Sequence, residues 1–138
     1  MKDITWEKLF KAAENAMQGE RIISPFAKGG YVSTAISTDK GNIYTAVNVD
    51  LRCALGICSE RLAAYKLFEA NKNEKIQKLV CLYRNQGPSL PCGACREFLM
   101  QLGKDWGEAE ILLDLKTLKT VKLKDTMHPW WGESRYDK

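Results

Sequence analysis

Two stretches of the chain decide its fold and its chemistry: ICSERLAAYKLF (57–68) and PCGACREFL (91–99). Each brings cysteine to the predicted start of a helix, with Cys58 in the first stretch and Cys92 and Cys95 in the second. Residues three apart in a first helical turn share one face, so two thiolates there can reach the same zinc ion. A helix start also offers unpaired N–H groups and a positive dipole end, which lower the thiol pKa. The CxxC pair alone leaves a redox pair, half of a structural zinc site and chance as open interpretations.

Cys58 adds a third thiolate, again at a predicted helix start. Three protein ligands with one open position are typical of a catalytic zinc site and not of a closed structural one. Glu60 lies in the same first turn, so its carboxylate can sit beside the metal without binding it. From there it can take a proton from a water molecule at the open position. These residues predict metal-assisted hydrolysis, with coincidence, a structural zinc site and a redox pair as the alternatives.

Helices and strands alternate around these two stretches. The predicted elements are a first helix capped by Asp3 and ended by Gly19, strands 31–38 and 42–49, a helix from Cys58 to Ala70, a strand 75–83, a helix from Cys92 to Leu102, and strands 110–115 and 117–123. The DKG turn, in which Gly41 is free to take a positive φ, joins the first two strands as a hairpin. This order predicts one α/β domain over residues 1–138, with a mixed sheet covered by helices.

Composition and charge favour a soluble globular protein. The 138 residues are 45% hydrophobic and 28% charged, which is usual for one globular domain. No apolar run approaches the roughly 20 residues that span a bilayer, and MKDITWEKLF (1–10) has polar residues where a signal peptide is apolar. The net charge of +4 is mild, and the lysines of LKTLKTVKLK (115–124) alternate with apolar residues as on a solvated strand face. We therefore expect a cytoplasmic protein with no membrane and no nucleic-acid polymer as partner.

The remaining cysteines and the C-terminal tail are assigned to packing. An odd count of five cysteines argues against a disulfide framework. Cys81 lies in an apolar strand and is expected in the core, and Cys53 is expected to be a packed loop thiol. His128, the only histidine, is expected at the surface or at an interface. Trp130 and Trp131 either pack on their own domain or line a pocket or a subunit interface.

Taken together, the two stretches resemble the cytidine deaminase family. The family pattern is a Cys or His, one residue, a Glu and, roughly thirty residues later, Pro-Cys-x-x-Cys. CSER (58–61) and PCGAC (91–95) match it, and the hairpin ahead of them extends the resemblance to about 31–102. The resemblance implies a three-layer fold, in which a core five-stranded mixed sheet is sandwiched by helices, and commonly a homotetramer.

The resemblance also implies roles for residues around the metal. It assigns one zinc ion per chain to Cys58, Cys92 and Cys95, and proton transfer to Glu60. Arg61 corresponds to an arginine that hydrogen-bonds the ligand thiolates in the small tetrameric members. Three thiolates make zinc a weak Lewis acid, and a guanidinium that donates to the sulfurs restores part of its electrophilic character.

The residues that would bind substrate depart further from the family. Asn48 and Asp50 correspond to an Asn-x-Glu pair that binds the ribose hydroxyl, but the acidic side chain is shorter here. Ser59 replaces the usual Ala, and its backbone groups would lie near the leaving amine. Gly29 and Gly30 stand where an aromatic residue normally lines the base pocket, and the segment before Cys58 is one residue shorter than usual. These departures change substrate binding and leave the metal ligands unchanged.

The activity that the resemblance implies is zinc-dependent hydrolytic deamination of cytidine or deoxycytidine, with release of ammonia. Glu60 would protonate N3 of the cytosine ring and then carry a proton to the departing ammonia. A wider pocket keeps open a deaminase of a cytosine-containing antibiotic such as blasticidin S, and a non-catalytic zinc domain in assembly is a further alternative. Polynucleotide editing is disfavoured because no basic and aromatic groove is indicated. The expected partners are a small-molecule nucleoside and further copies of the chain, as a homotetramer.

Overall fold

A seven-stranded mixed sheet with helices on both faces is the framework of residues 3–70, 72–84 and 86–137, which the computed structural model describes. In chain order the helices and strands are α1 (Trp6–Ala16), β1 (Arg21–Ser24), β2 (Ala27–Thr38), β3 (Ile43–Leu51), α2 (Ser59–Ala70), β4 (Ile76–Tyr83), β5 (Gly87–Pro88), α3 (Gly93–Gln101), β6 (Glu110–Asp114) and β7 (Lys119–Lys122). Three 3₁₀ helices lie among and after the last elements, at Lys104–Glu108, Leu123–Thr126 and Glu133–Asp137. No helix in the described ranges is long and apolar enough to cross a bilayer.

The long strand β2 organises the sheet. It pairs antiparallel with β1, β3 and β4, and the sheet continues from β4 to β6 and then to β7. The β4–β6 pair is parallel and the β6–β7 pair is antiparallel. A parallel pair needs a long crossover connection, and α3 with the 3₁₀ helix that follows it supplies one here. The predicted mixed sheet is therefore confirmed.

Side chains that alternate along the central strands build a core on each face of the sheet. Ala35 and Val80 pack in the core under α1, whereas their neighbours Ile36 and Leu79 pack in the core under α2 and α3. All four are fully buried. Burying each large aliphatic side chain contributes about 1.5–3 kcal/mol, so both helical layers are held firmly to the sheet. The predicted three-layer α/β architecture is confirmed.

The predicted count of five strands is too low. All five predicted strands are present, and β1 and β5 extend the sheet by segments of four and two residues. In β1, the neighbours Ile22 and Ile23 are both exposed, so the segment lacks the alternation that marks a half-buried strand. Two residues in β5 are too few to show any period. Both segments are strands because their backbones pair with β2 or β4, and this pairing depends on the tertiary fold and not on the local sequence.

The ends of α1 also differ from the prediction. Thr5, and not Asp3, is the N-cap, and its Oγ1 accepts the backbone N–H three residues later at 3.2 Å. Asp3 instead pairs with Nζ of Lys78 at 3.1 Å. Both residue types are good N-caps, so the sequence does not choose between positions two apart. The helix ends at Ala16, and Gly19 takes its φ of 76° in the loop beyond.

The chain enters α2 along a path fixed against β3. Val49 and Ile57 exchange two backbone hydrogen bonds, at 3.1 and 2.9 Å. Gly56 allows this close approach, since a Cβ there would lie 2.3 Å from the carbonyl oxygen of Val49. The next residue after this bridge is Cys58, so its position relative to the sheet is set before the helix begins.

Candidate active site

Cys58, Glu60, Cys92 and Cys95 meet where the N-termini of α2 and α3 come together. One atom from each, three sulfurs and a carboxylate oxygen, lie within 4.8 Å of one another. The Sγ atoms of Cys58 and Cys92 are 3.7 Å apart, and those of Cys92 and Cys95 are 3.2 Å apart. Cys95 and Glu60 are buried, while Cys92 is exposed, so the cluster opens to solvent on one side.

Donor type and spacing both fit a tetrahedral zinc ion. Two thiolates at about 2.3 Å from one tetrahedral ion lie about 3.8 Å apart. The distance between Cys58 and Cys92 is close to this value, and the Cys92–Cys95 pair is somewhat tighter. Without a metal, burial raises the pKa of the Cys58 and Cys95 thiols, and the charge of Glu60 raises both further. A divalent cation bound here would favour the deprotonated thiols and so oppose the rise in their pKa.

Cys92 differs from the other two thiols because it is the N-cap of α3. Partial burial works against its thiolate, but hydrogen bonds from the backbone and the thiol of Cys95 outweigh burial and lower the pKa of Cys92. The first-turn N–H groups of a helix are free to make such bonds. The expected effect of a helix start on thiol pKa is therefore seen at Cys92, whereas burial prevails at Cys58 and Cys95.

Glu60 is held in the first turn of α2 and is only 3% exposed. Oε1 of its carboxylate accepts a hydrogen bond from Oγ of Ser59 at 2.8 Å, and Oγ1 of Thr34 lies 3.3 Å away. The carboxylate is thus buried beside the sulfurs and hydrogen-bonded on one oxygen. A carboxylate in this position can exchange protons with a molecule that binds at the open side of the cluster.

Arg61 faces the sulfurs of Cys58 and Cys95 from the same turn of α2. Burial opposes its charge, but hydrogen bonds to these two cysteines and their charges outweigh burial and raise the pKa of Arg61. Its Nε is buried and has no hydrogen-bond partner among the described residues. A guanidinium in this place offsets the negative charge that thiolates would carry.

Asn48 and Asp50 lie near the end of β3, and both already have partners within the chain. Oδ1 of Asn48 accepts the backbone N–H groups of Tyr31 and Val32 at 3.1 and 3.0 Å, where β2 departs from regular pairing. The hydroxyl of Tyr31 donates to Oδ2 of Asp50. This hydrogen bond, together with burial, raises the pKa of Tyr31 to about 12. A ligand would meet the other polar atom of each side chain, Nδ2 of Asn48 and Oδ1 of Asp50.

Two residues next to these candidates, Tyr31 and Thr34, were missed from the sequence, and Cys81 was predicted only as a core residue. Thr34 pairs with Cys81 across β2 and β4. Burial, followed by the charge of Glu60, raises the pKa of the Cys81 thiol. Cys81 is in the core as predicted, and it also lies close enough to Glu60 and Thr34 to interact with both. Thr34 could have been found from the alternation of side chains along β2. It lies two residues before Ile36 and therefore on the face of the sheet that α2 covers.

The other candidate residues lie outside the cluster. Cys53 is an exposed free thiol in the turn that follows β3, so the prediction that it is packed in its loop is wrong. Nε1 of Trp130 and Nε1 of Trp131 both donate to Glu97 of α3, at 3.1 and 3.0 Å. Trp130 packs against the core and also lines a surface cavity, while Trp131 is 62% exposed, so only Trp130 is partly buried in its own domain. His128 precedes the tryptophans and lines a surface cavity formed with the tail.

Comparison with known proteins shows what this chain is similar to. No family profile matches the sequence. The cytidine deaminase of Mycobacterium tuberculosis (strain CDC 1551 / Oshkosh) is 27% identical over 115 residues, which are 83% of this chain and 80% of that protein. A crystal structure of the cytidine deaminase from Mycobacterium tuberculosis superposes with a TM-score of 0.75 at 26% identity, covering 94% of this chain and 99% of the other. In both sequence and fold, the chain is similar to cytidine deaminases.

A second structure extends the likeness. The cytidine deaminase from Burkholderia pseudomallei superposes with a TM-score of 0.72 at 26% identity, covering 91% of this chain and 98% of the other. The predicted resemblance covered about 31–102, whereas these superpositions take in nearly the whole chain. The cytidine deaminase fold therefore includes α1 and the last strands, where the sequence pattern is weakest.

Proposed function

We propose that this chain is a zinc-dependent hydrolase that deaminates cytidine and deoxycytidine to the uridine form and releases ammonia. The observation that carries the proposal is the meeting of Cys58, Glu60, Cys92 and Cys95 at two helix starts. A chain that is similar to cytidine deaminases and brings three sulfurs and a carboxylate together has the donors and the proton carrier that this reaction needs.

Cys58, Cys92 and Cys95 would hold one zinc ion per chain. When bound, zinc lowers the pKa of a water molecule and so supplies a nucleophile near neutral pH. Three thiolates would carry three negative charges against the two positive charges of the ion. Arg61, which lies beside two of the sulfurs, reduces this excess negative charge. The exposed side of the cluster, at Cys92, is where substrate would approach.

Glu60 would move the protons of the reaction. Water adds at C4 of the cytosine ring and the bond from C4 to the exocyclic nitrogen breaks, so one oxygen enters and one ammonia leaves. Glu60 takes a proton from the water and gives it to N3. It then takes the second proton of that water from the new hydroxyl on C4 and transfers it to the exocyclic nitrogen, which departs as ammonia, so C4 becomes a carbonyl and the carboxylate is regenerated. Its burial keeps bulk water away from these transfers.

Asn48 and Asp50 are the proposed sugar-binding residues. Nδ2 of Asn48 can donate to a sugar oxygen, and Oδ1 of Asp50 can accept from a sugar hydroxyl. Asn48 is only 7% exposed, so the site rejects a ligand that leaves its amide unpaired. We therefore expect cytidine to be preferred over free cytosine. The backbone of Ser59, at the start of α2, is proposed to lie next to the leaving amine.

The substrate test compares kcat/KM for cytidine, deoxycytidine, cytosine and blasticidin S on zinc-loaded protein. Cytidine preferred over cytosine, with that preference lost in Asp50→Asn, supports the nucleoside assignment. Blasticidin S as the best substrate, with cytidine turnover unaffected by Asp50→Asn, assigns the chain to the antibiotic-type branch. Activity on none of the four, with zinc bound, excludes the proposed function and leaves the non-catalytic zinc domain.

We also propose that the active form is a homotetramer. The outer face of α2 exposes Phe68 at 71% and Tyr65 at 46%, and the Tyr65 ring lies edge-on to Phe98 of α3 with centroids 5.0 Å apart. Large aromatic side chains gathered on an exposed surface often mark a contact with another protein chain. A second copy of the chain is the simplest cover for this aromatic patch of Tyr65, Phe68 and Phe98.

Two further predictions from the sequence belong to this proposal. One is that residues 1–138 form a single domain, which is supported by the joining of all strands from Arg21 to Lys122 into one sheet. The other is a cytoplasmic location, which is supported by the exposed thiol of Cys53 and by the three thiols proposed as zinc ligands, since a reducing compartment keeps thiols unpaired. One cooperative unfolding transition and fractionation of the cells that make the protein test them.

A further inference from the structure

Two hydroxyl side chains lie against one oxygen of the Glu60 carboxylate. Oγ of Ser59 donates to Oε1 at 2.8 Å, and Oγ1 of Thr34 lies 2.8 Å from Oγ of Ser59 and 3.3 Å from Oε1. Thr34 and Ser59 have no solvent exposure, and Glu60 has 3%. The three side chains form a compact, buried polar group between β2 and α2.

The hydroxyl protons of Thr34 and Ser59 are enough to link the three side chains by hydrogen bonds that run from Thr34 to Ser59 to Glu60. Thr34 can donate to Ser59 and Ser59 to Oε1, which uses both of the 2.8 Å contacts. Hydrogen bonds in such a chain strengthen one another, and a bond to a carboxylate is stronger than one between neutral groups. Ser59 is in the first turn of α2, where a serine often bonds a free backbone N–H, but here its hydroxyl serves the carboxylate.

The hydroxyls come from elements with little freedom to move. Thr34 lies in the middle of β2 and is paired on both sides, with Ala46 of β3 and Cys81 of β4. Ser59 begins α2 directly after the segment that is bonded to β3. A side chain held by such elements is placed more accurately than one held by a loop.

We propose, resting on the proposed function, that Thr34 and Ser59 are positioning residues for the proton carrier. They hold Oε1 of Glu60, and the carboxylate therefore presents Oε2 to the water and to the ring nitrogen. If the carboxylate is already fixed before substrate binds, the free-energy barrier of the reaction does not include the cost of ordering the glutamate side chain. The resemblance to cytidine deaminases implies alanine as the usual residue at the position of Ser59, so the Ser59 hydroxyl is one of the departures of this chain.

Two substitutions test the pair. Ser59→Ala removes the donor to Oε1 and is expected to lower kcat for cytidine about 10- to 100-fold, the usual effect of losing a hydrogen bond to a charged group. Thr34→Val removes a hydroxyl at nearly constant volume and is expected to lower kcat about 3- to 10-fold, because its bond is to a neutral partner. KM and zinc content are expected to stay within about twofold, since neither side chain is proposed to bind substrate or metal. Thr34→Ser keeps the hydroxyl and is expected to restore kcat.

Thr38→Val is the matched control. Thr38 is also buried in β2, and its hydroxyl donates to a different carboxylate, that of Glu74, at 3.0 Å. It lies about 13 Å further along the strand, at about 3.3 Å per residue. We expect this variant to lower the melting temperature as Thr34→Val does and to leave kcat unchanged. An equal loss of kcat in Thr38→Val and Thr34→Val would mean that both act by general destabilisation, which overturns the inference.

Crystal structures separate failure of this inference from failure of the proposed function. If the zinc-loaded parent releases no ammonia from any cytosine compound, the proposed function fails, and the orientation of Glu60 still decides the inference. One carboxylate orientation in the parent and more than one in the Thr34→Val/Ser59→Ala double variant supports positioning. The same single orientation in both proteins overturns it, as does an unchanged kcat in Ser59→Ala.

Discussion

Four side chains carry most of the proposed chemistry, and Glu60 is the one whose loss is most informative. Glu60→Gln keeps the size and the hydrogen bond to Ser59 but cannot accept a proton from water. General acid–base groups contribute about 10²- to 10⁴-fold, and this residue serves more than one transfer, so kcat should fall by about 10⁴-fold or more. Zinc content, measured by elemental analysis, should not change. Turnover within tenfold of the parent would assign the proton transfers to another group.

Tyr31 gives a second test at the scale of single residues, through pH. Its pKa is raised from 10.0 to about 12, chiefly by the hydrogen bond to Asp50. A raised pKa favours the neutral phenol in the folded state, so this stabilisation is complete below pH 10 and is lost as the pH rises to about 12. The pair is partly exposed, and we expect Tyr31→Phe to lower the free energy of unfolding by about 0.5–1 kcal/mol.

Chemical denaturation of Tyr31→Phe and parent protein between pH 8 and pH 12, the range set by this pKa, checks the prediction. The two stabilities should differ below pH 10 and converge as the phenol ionises. Asp50→Asn, followed by absorbance titration of the tyrosines, is the control and should bring the pKa of Tyr31 back towards 10.0. A stability difference that is constant across the range would mean that the hydroxyl acts only through packing.

The cluster of three cysteines could be predicted from the sequence, whereas its polar neighbours could not. Cys58, Cys92 and Cys95 are recognisable because each stands at the start of a helix, where local spacing decides which side chains converge. Thr34 reaches Glu60 from a strand 26 residues away. That contact depends on sheet register and on how α2 packs, which no local pattern fixes.

At the scale of elements, zinc would join α2 to α3 through Cys58 on one side and Cys92 and Cys95 on the other. A ligand that binds only the folded state stabilises it, and structural zinc sites contribute substantially to folding. We therefore expect removal of zinc with a chelator to lower the melting temperature by more than about 10 °C. Adding zinc back should restore it. An unchanged melting temperature, after elemental analysis has shown the metal to be gone, would contradict a link between the two helices.

Some helices and strands could be predicted from the sequence and others could not. Long strands such as β2 and β4 were predicted because burial on both faces leaves continuous runs of β-branched and apolar residues. The short β1 and β5 were not predicted, since each forms only where a longer strand offers unpaired backbone groups. The N-cap of α1 was misplaced by two residues because Asp3 and Thr5 are equivalent as caps and differ only in tertiary surroundings.

At the scale of the whole molecule, the aromatic patch predicts self-association. Phe68→Glu places a charge at the centre of this patch, while Phe68 is 71% exposed in the single chain and contributes little to its own core. Light scattering should give four times the 15.6 kDa of one chain for the parent and a smaller mass for the variant. Lys66→Glu, on the same helix, is the matched control and should leave the mass unchanged. A parent that is already monomeric would contradict the tetramer.

The central claim is that one zinc ion per chain makes this protein a cytidine deaminase. The most direct measurement is a titration in which metal-free protein receives zinc in steps while ammonia release from cytidine is followed. We expect the rate to rise in proportion to added zinc and to level off at one ion per chain, since Cys58, Cys92 and Cys95 would form one site. Full zinc occupancy without ammonia release, or an equal rate before any zinc is added, would contradict it.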